Sequence, residues 1–427
     1  MRKLFLSLCL LGGIMFGASI KSITISGVEI PLIYEKSSII PTGMIQLIFA
    51  NSGSAYCEET PGIASLSASI LNEGTKELGG VEFARGLEEK AITLYASSSQ
   101  EFLEFTLSFL KEEEDHSLKF LSMLLNSPNL SANALTKVKD QALASLLAKE
   151  SDFDYLASSG LAQLLFKNTP LQYPSRGTIS SIQGITLEQI RAFLKKSLTL
   201  NHLYIVIGGD LDIDATSAKL VQILQKLPIG EVKNFASFKV SSTPQTKTQY
   251  KQTEQAYIYF GSPFNLKDYQ EEAHKAKVMS FILGASGFGS RMMEEIRVKN
   301  GLAYSAYMKV NLSKLVNYAS GYLQTKISNQ NQSIELVKKV ISDFVENGVT
   351  QEELDSAKKF LLGSEPLRNE TLNQRLNTAF SYYYRGLNPD YSKEELEKIN
   401  NLTLEDLNAF IKDHKEILDL SFSIITQ

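Results

Sequence analysis

The sequence predicts an α+β fold of two homologous α/β-sandwich domains, an internal repeat joined by a linker and arranged like a clamshell. Ile185-Thr186-Leu187-Glu188-Gln189-Ile190-Arg191-Ala192-Phe193-Leu194-Lys195 matches Leu402-Thr403-Leu404-Glu405-Asp406-Leu407-Asn408-Ala409-Phe410-Ile411-Lys412 without a gap. An apolar, strand-like run follows each copy, at 203–207 and 418–425. Ser117-Leu118-Lys119-Phe120-Leu121 parallels Ser333-Ile334-Glu335-Leu336-Val337 at nearly the same offset. Between the halves, 229–248 shows no hydropathic period and contains Ser241-Ser242-Thr243-Pro244, which marks a linker. At 427 residues, each half is long enough to bury its own core.

The expected domains are 20–228 and 249–427. The first opens with extended apolar runs at 22–34 and 44–50, followed by helical periodicity at 62–72 and 81–90. Segments 91–98 and 101–109 read as paired strands across a polar turn. Helical patterns resume at 115–125, 132–148 and 154–166. Tyr173-Pro174-Ser175-Arg176-Gly177-Thr178 is a loop, and a helix at 186–196 with a strand at 203–207 closes the half. The second half repeats this order.

Hydrophobic residues make up 43%, charged residues 21%, and the net charge is −4, so no nucleic acid partner is implied. The N-terminus has a targeting pattern: basic Arg2-Lys3, an apolar run at 4–16, and small Gly17-Ala18-Ser19. It predicts a signal peptide over 1–19, cleaved after Ser19, and an exported protein that is periplasmic or secreted. Retention of the segment as an anchor is the alternative. No other run is long and apolar enough to span a bilayer. After cleavage only Cys57 remains, so no internal disulfide can form.

The densest motif lies at 284–305. Arg291, Glu294 and Glu295 are charged at helical spacing, Asn300-Gly301 is a turn, and 302–307 has strand composition. Arg297 closes the helix and Tyr304 sits in the strand, so the turn can bring a guanidinium and a phenol to one side. Upstream, Gly284-Ala285-Ser286-Gly287-Phe288-Gly289 forms a flexible entry and not a phosphate loop, since no Gly-Lys-Ser/Thr follows. A glycine-rich loop, Ser290-Arg291, and then Arg297-x-x-x-Gly301-Leu302-Ala303-Tyr304 resembles the C-terminal half of pitrilysin/insulinase-family zinc peptidases of the half-length, processing-peptidase-like type. The resemblance implies that Arg297 and Tyr304 contact the substrate near the scissile carbonyl, beside a substrate-binding loop at Gly284, Gly287 and Gly289. An Arg donor and a phenol can together stabilise the oxyanion formed when water attacks a peptide carbonyl. Without the resemblance, the same two residues read as a helix-end Arg favoured by the dipole and a packed strand Tyr.

Catalytic members of that family carry Gly-Leu-x-His-x-x-Glu-His-x-x-x-x-Gly-Thr on a helix, two His for Zn²⁺ and a Glu as base. Here the matching segment is Gly62-Ile63-Ala64-Ser65-Leu66-Ser67-Ala68-Ser69-Ile70-Leu71-Asn72-Glu73-Gly74-Thr75. Its flanks agree, but Ser65 and Ser69 stand at the His positions and Ala68 at the Glu position. Serine hydroxyls are poor zinc ligands and alanine offers no base. No carboxylate lies within 141–149, where the third ligand is expected; Asp140 and Glu150 flank that stretch. Glu112-Glu113-Glu114-Asp115-His116 reads as a solvated acidic first turn of a helix. Neither His202, His274 nor His414 pairs with another His at ligand spacing, and no base lies near Ser65 or Ser69 in sequence.

These residues, with the resemblance, imply a non-zinc subunit of a heterodimeric zinc peptidase. A homologous partner would supply zinc and the general base, this chain would hold no metal, and Arg297 and Tyr304 would act on a peptide substrate in trans. Tyr173 to Gly177 and Gly208-Gly209-Asp210 also agree with family positions. The alternative is a catalytically inactive structural or peptide-binding subunit of a larger assembly.

Overall fold

The computed structural model describes residues 17–232 and 235–427, so the expected signal segment lies outside the described residues except for its last three. Six strands form the first sheet: β1 (Ser19–Ile25), β2 (Val28–Lys36), β3 (Thr42–Ala50), β4 (Thr93–Ser98), β5 (Phe102–Leu110) and β6 (Leu203–Gly209). Five form the second: β7 (Thr246–Tyr250), β8 (Gln255–Pro263), β9 (Ala303–Leu312), β10 (Asn317–Lys326) and β11 (Ser421–Thr426). Their orders are β1-β2-β6-β3-β5-β4 and β7-β11-β8-β10-β9. With β1 set aside the two orders superpose strand for strand. Even the one parallel pairing recurs, β2 with β6 and β7 with β11. The repeat seen in the residues is a repeat of topology.

Local sequence accounts for the elements. In β5 the apolar Leu103, Phe105, Leu107 and Phe109 are buried and the residues between them are half-exposed, the period-two pattern of a strand with one face on a core. The matched helices, Leu187–Ser197 and Leu404–Asp413, both begin at a threonine whose hydroxyl accepts a backbone N–H of the first turn. The segment 22–34 was expected as one strand, but it is a hairpin. Ser26 and Gly27 adopt φ of 51° and 82°, a two-residue turn that pairs Ile25 with Val28. Among the described residues the linker carries no regular element until β7 begins at Thr246.

Each sheet carries its own helices on one face, packed into a core of its own half. The opposite faces are covered by exchange. Helix Phe153–Leu165, from the first half, lies on β8 and β11 of the second. Its Gly160 approaches so closely that an added Cβ would fall 2.2 Å from the Ser423 hydroxyl. Helix Leu372–Tyr384, from the second half, lies on β2 and β6, where a Cβ on Gly208 would fall 2.4 Å from Leu376. Leu376, Ala379, Phe380 and Tyr384 fill one inter-half cluster with Ile33, Met44, Ile48 and Val206. An ion pair crosses the same seam: Arg375 donates to Glu35 at 2.7 and 2.9 Å, and Glu35 is only 6% exposed. Removing one partner of such a buried pair strands the other charge. β6 and β11, covered on both faces, are almost wholly buried.

Candidate functional site

The degenerate motif folds as helix Ile63–Leu71. Ile63, Leu66 and Ile70 point into the core of the first half, 6%, 1% and 0% exposed. Ala68 is buried, and Ser69 is exposed, its hydroxyl turned back to the Ser65 carbonyl at 3.0 Å. The helix starts at Gly62, with φ of 91°. A Cβ there would lie 2.8 Å from the Arg176 carbonyl oxygen, and one on Gly177 (φ 79°) would lie 2.6 Å from the Pro61 carbonyl. Two glycines thus let the 173–177 loop cross directly over the helix start.

That crossing closes a cleft of about 280 Å³ lined by Ser65, Ser69, Gln141, Ser145 and Arg176, among others. Gln141 and Ser145 come from helix Ala132–Lys149, where the resemblance places the third zinc ligand. Asp140 and Glu150 are exposed and do not line it. The cleft offers hydroxyls, an amide and a guanidinium, with neither imidazole nor carboxylate, and the guanidinium repels cations. These residues do not fit zinc. Among the described residues no group of three or more His, Cys, Asp or Glu is placed to hold a metal ion. The acidic turn before helix Glu114–Asn126 is taken up by ion pairs, Glu113 with Lys90 and His116, and Asp115 with Lys219.

The Arg297/Tyr304 stretch is built differently. The Ser290 hydroxyl accepts from the Met293 N–H and donates to the Gly287 carbonyl, fixing the start of helix Arg291–Met293. The helix widens into a π-helical turn, Glu294–Lys299, and the chain reverses at Asn300-Gly301 into β9. Arg297 and Tyr304 are brought together: the guanidinium lies 4.6 Å from the Tyr304 ring centre and 4.8 Å from that of Phe288. Tyr304 is 82% exposed and Phe288 71%. Pairing between β9 and β10 slips here, with Ala303 opposite Thr325 but Ala306 opposite Leu323. Tyr304 and Ser305 therefore face a single residue of β10, a bulge of the kind that re-aims a side chain.

Two arginines six positions apart have opposite fates. Arg291 gives Nε and Nη2 to Glu353 at 2.6 and 2.7 Å, gives Nη2 also to the Gly348 carbonyl, and lies over the Phe344 ring. No carboxylate among the described residues pairs with Arg297. Gly287 and Gly289, with φ of 69° and 85°, flank Phe288 in open space. Gly284 does not sit with them. It is buried in the π-helical turn Phe281–Ala285, where a Cβ would meet the Met308 amide nitrogen of β9 at 2.3 Å. It is a packing glycine.

The Tyr384 hydroxyl, which sequence reasoning missed, donates across the seam to Glu101 at 2.7 Å, and burial pushes the Glu101 carboxyl up from its ordinary range. Asp210, after β6, binds Lys111 and Ser38, and these hydrogen bonds hold it below the usual carboxylate range.

Comparison with known proteins fits this geometry. Residues 36–179 match the family described as Insulinase (Peptidase family M16), and 184–361 match its Peptidase M16 inactive domain. The chain is 49% identical over 429 residues to a Helicobacter pylori protein called non-peptidase homolog YmxG, covering 100% of this chain and 99% of that one. A Bacillus subtilis protein called an uncharacterized zinc protease, YmxG, is 23% identical over 336 residues, 77% of this chain and 80% of its own. Among solved structures, the peptidase M16 inactive domain from Pseudomonas fluorescens superposes with a TM-score of 0.86 at 24% identity, covering 96% of this chain and 98% of that one. A protease from Helicobacter pylori superposes at 0.82 with 14% identity, covering 96% and 100%. The chain belongs to the insulinase family of M16 peptidases, in which its nearly full-length match in Helicobacter pylori is called a non-peptidase homologue.

Proposed function

We propose that the chain is the non-zinc subunit of an exported two-chain peptidase, and that a homologous partner supplies the metal and the general base. One observation carries this: Tyr304 stands exposed with the half-buried Arg297 stacked on its ring, neither paired with a carboxylate among the described residues, while the zinc motif has lost every ligand. A core tyrosine would be buried, and a structural arginine would be paired as Arg291 is. Presented together to a peptide carbonyl, the guanidinium and phenol donate hydrogen bonds that strengthen as the oxygen becomes an oxyanion. Gly287 and Gly289 let the Phe288 loop lie against the same peptide. That Helicobacter pylori holds both a non-peptidase homologue and a protease of this fold supports a division of labour.

Phe288, exposed and stacked on Arg297, favours a second function, a peptide-binding subunit without chemistry. An aromatic–cation ridge can hold a peptide in either case. The test is to purify the chain alone and with a zinc-bearing homologue from the same genome. Alone it should carry no stoichiometric zinc and cleave nothing. Together they should form a dimer with one zinc per two chains and cleave peptides. A chain that remains monomeric in the mixture would remove the pair. One equivalent of tight zinc on the chain alone, lost with Ser65→Ala or Ser69→Ala, would overturn the non-zinc assignment.

A further inference from the structure

We infer that the cleft where catalytic relatives hold their metal is, in this chain, a binding site for a peptide carboxylate. Its lining explains why. Among the described residues Arg176 is the sole charged side chain lining it, and no carboxylate pairs with that guanidinium. The one hydrogen bond described for the Arg176 side chain is a long contact to the Ser145 hydroxyl at 3.5 Å. The Ser65 hydroxyl and the Gln141 amide, which also line the cleft, have no described partner inside the chain. Donors thus converge from three elements, helix Ile63–Leu71, helix Ala132–Lys149 and the 173–177 loop, and one of them is a fork that matches a carboxylate in two places.

Arg176 is not free to wander along the chain. Its carbonyl sits against Gly62 and its neighbour Gly177 sits against Pro61 and Gly62, contacts that only glycine at both positions allows. The backbone that carries the guanidinium is therefore clasped to the start of the very helix that carries Ser65 and Ser69. A cleft of about 280 Å³ admits a carboxylate and a small side chain, but not a folded ligand. A single positive charge replaces a dication, and hydroxyl donors replace imidazole acceptors. The preferred guest changes with them, from a metal-bound carbonyl to an anionic oxygen pair.

The carboxylate can come from a peptide C-terminus or from an acidic side chain, and three labelled probes separate the sources. One is an N-acetylated pentapeptide without acidic residues and with a free C-terminus. The second is its C-terminal amide, and the third is that amide with one internal Glu. Binding to the full chain alone, without any partner, is read by fluorescence anisotropy at low salt. The free acid should bind about ten- to a hundredfold more tightly than its plain amide, the difference expected of charge-assisted hydrogen bonds. Binding of the Glu-containing amide would extend the site to side-chain carboxylates, and its failure would restrict the site to C-termini. Arg176→Ala should abolish the preference and Arg176→Lys keep part of it. Both variants should melt like the parent, since Arg176 is exposed. Equal binding of all three probes, or a preference that survives Arg176→Ala, would overturn the inference. Because no partner is present, failure here would leave the two-chain peptidase untouched, and the reverse holds as well.

Discussion

The cleft at Ser65–Ser69 and the ridge at Arg297–Tyr304 are the two regions where this chain meets the family's motifs, and they are built in opposite ways. In the cleft the scaffold survives and the reactive groups are gone: Ile63, Leu66 and Ile70 still fill the core, while small polar residues stand on the other face. In the ridge the side chains survive: Tyr304 is exposed beside a bulge in β9, and the half-buried Arg297 lies between Tyr304 and Phe288 with no carboxylate among the described residues paired to it. Folding explains the first set of residues and does not explain the second. A helix can lose its ligands without losing its place, because its anchoring face and its chemical face are different residues.

Substitutions on the two sides of each region should separate scaffold from chemistry. The largest effect on stability is expected inside the cleft helix, where Leu66→Ala empties a fully packed position. It should cost about 2–5 kcal/mol in a denaturant titration. A cost below 1 kcal/mol would mean that this helix is not anchored as described. Next comes Arg291→Ala at the base of the ridge, which breaks a two-pronged link to Glu353 and a bond to the Gly348 carbonyl. Because the pair is about a quarter exposed, a loss of about 1–2 kcal/mol is expected, discounted for solvent screening.

The Arg291 link should also titrate. Burial alone would raise the Glu353 carboxyl, but the hydrogen bonds from Arg291 and Thr350 outweigh it and hold the carboxyl below its ordinary value. A depressed folded pKa gives stability that is fully present above the unfolded carboxylate pKa and fades as pH falls through the folded one. The gap in melting temperature between parent and Glu353→Gln should therefore be widest near neutral pH and narrow in acid. A gap that stays constant with pH would contradict the ion pair. The smallest effects are expected where each region faces outward. Ser65→Ala, Ser69→Ala, Tyr304→Phe and Arg297→Lys should each shift stability by no more than about 0.5 kcal/mol. The serine changes should be neutral or slightly favourable, since alanine is the better helix former.

Much of the fold was readable in the residues because it is written locally and twice. Threonine caps, paired strands at 91–109 and the matched helices before β6 and β11 all follow from short-range pattern. The Ser26-Gly27 hairpin was hidden because its turn interrupts an apolar run without an Asn-Gly or Asp-Gly signal. The exchange of helices Phe153–Leu165 and Leu372–Tyr384 between halves was not readable, since their apolar faces do not say which sheet they cover. The same holds for the site. The loss of zinc ligands and the approach of Arg297 to Tyr304 depend on spacing along one or two elements. The arrival of Arg176 over the cleft depends on glycines more than a hundred positions apart, and the packing duty of Gly284 appears only once β9 lies against it.

The most direct test of the account is the turnover of a peptide by the reconstituted pair carrying Arg297→Lys and Tyr304→Phe in this chain, measured beside a pair carrying Ser65→Ala and Ser69→Ala. Losing an oxyanion donor typically lowers turnover about a hundred- to a thousandfold. The ridge variants should show that loss in kcat, with complex formation and melting temperature unchanged, while the cleft variants retain nearly full kcat. Full turnover in the Arg297→Lys/Tyr304→Phe pair would contradict the account and leave a subunit that binds or encloses peptide without touching the reaction.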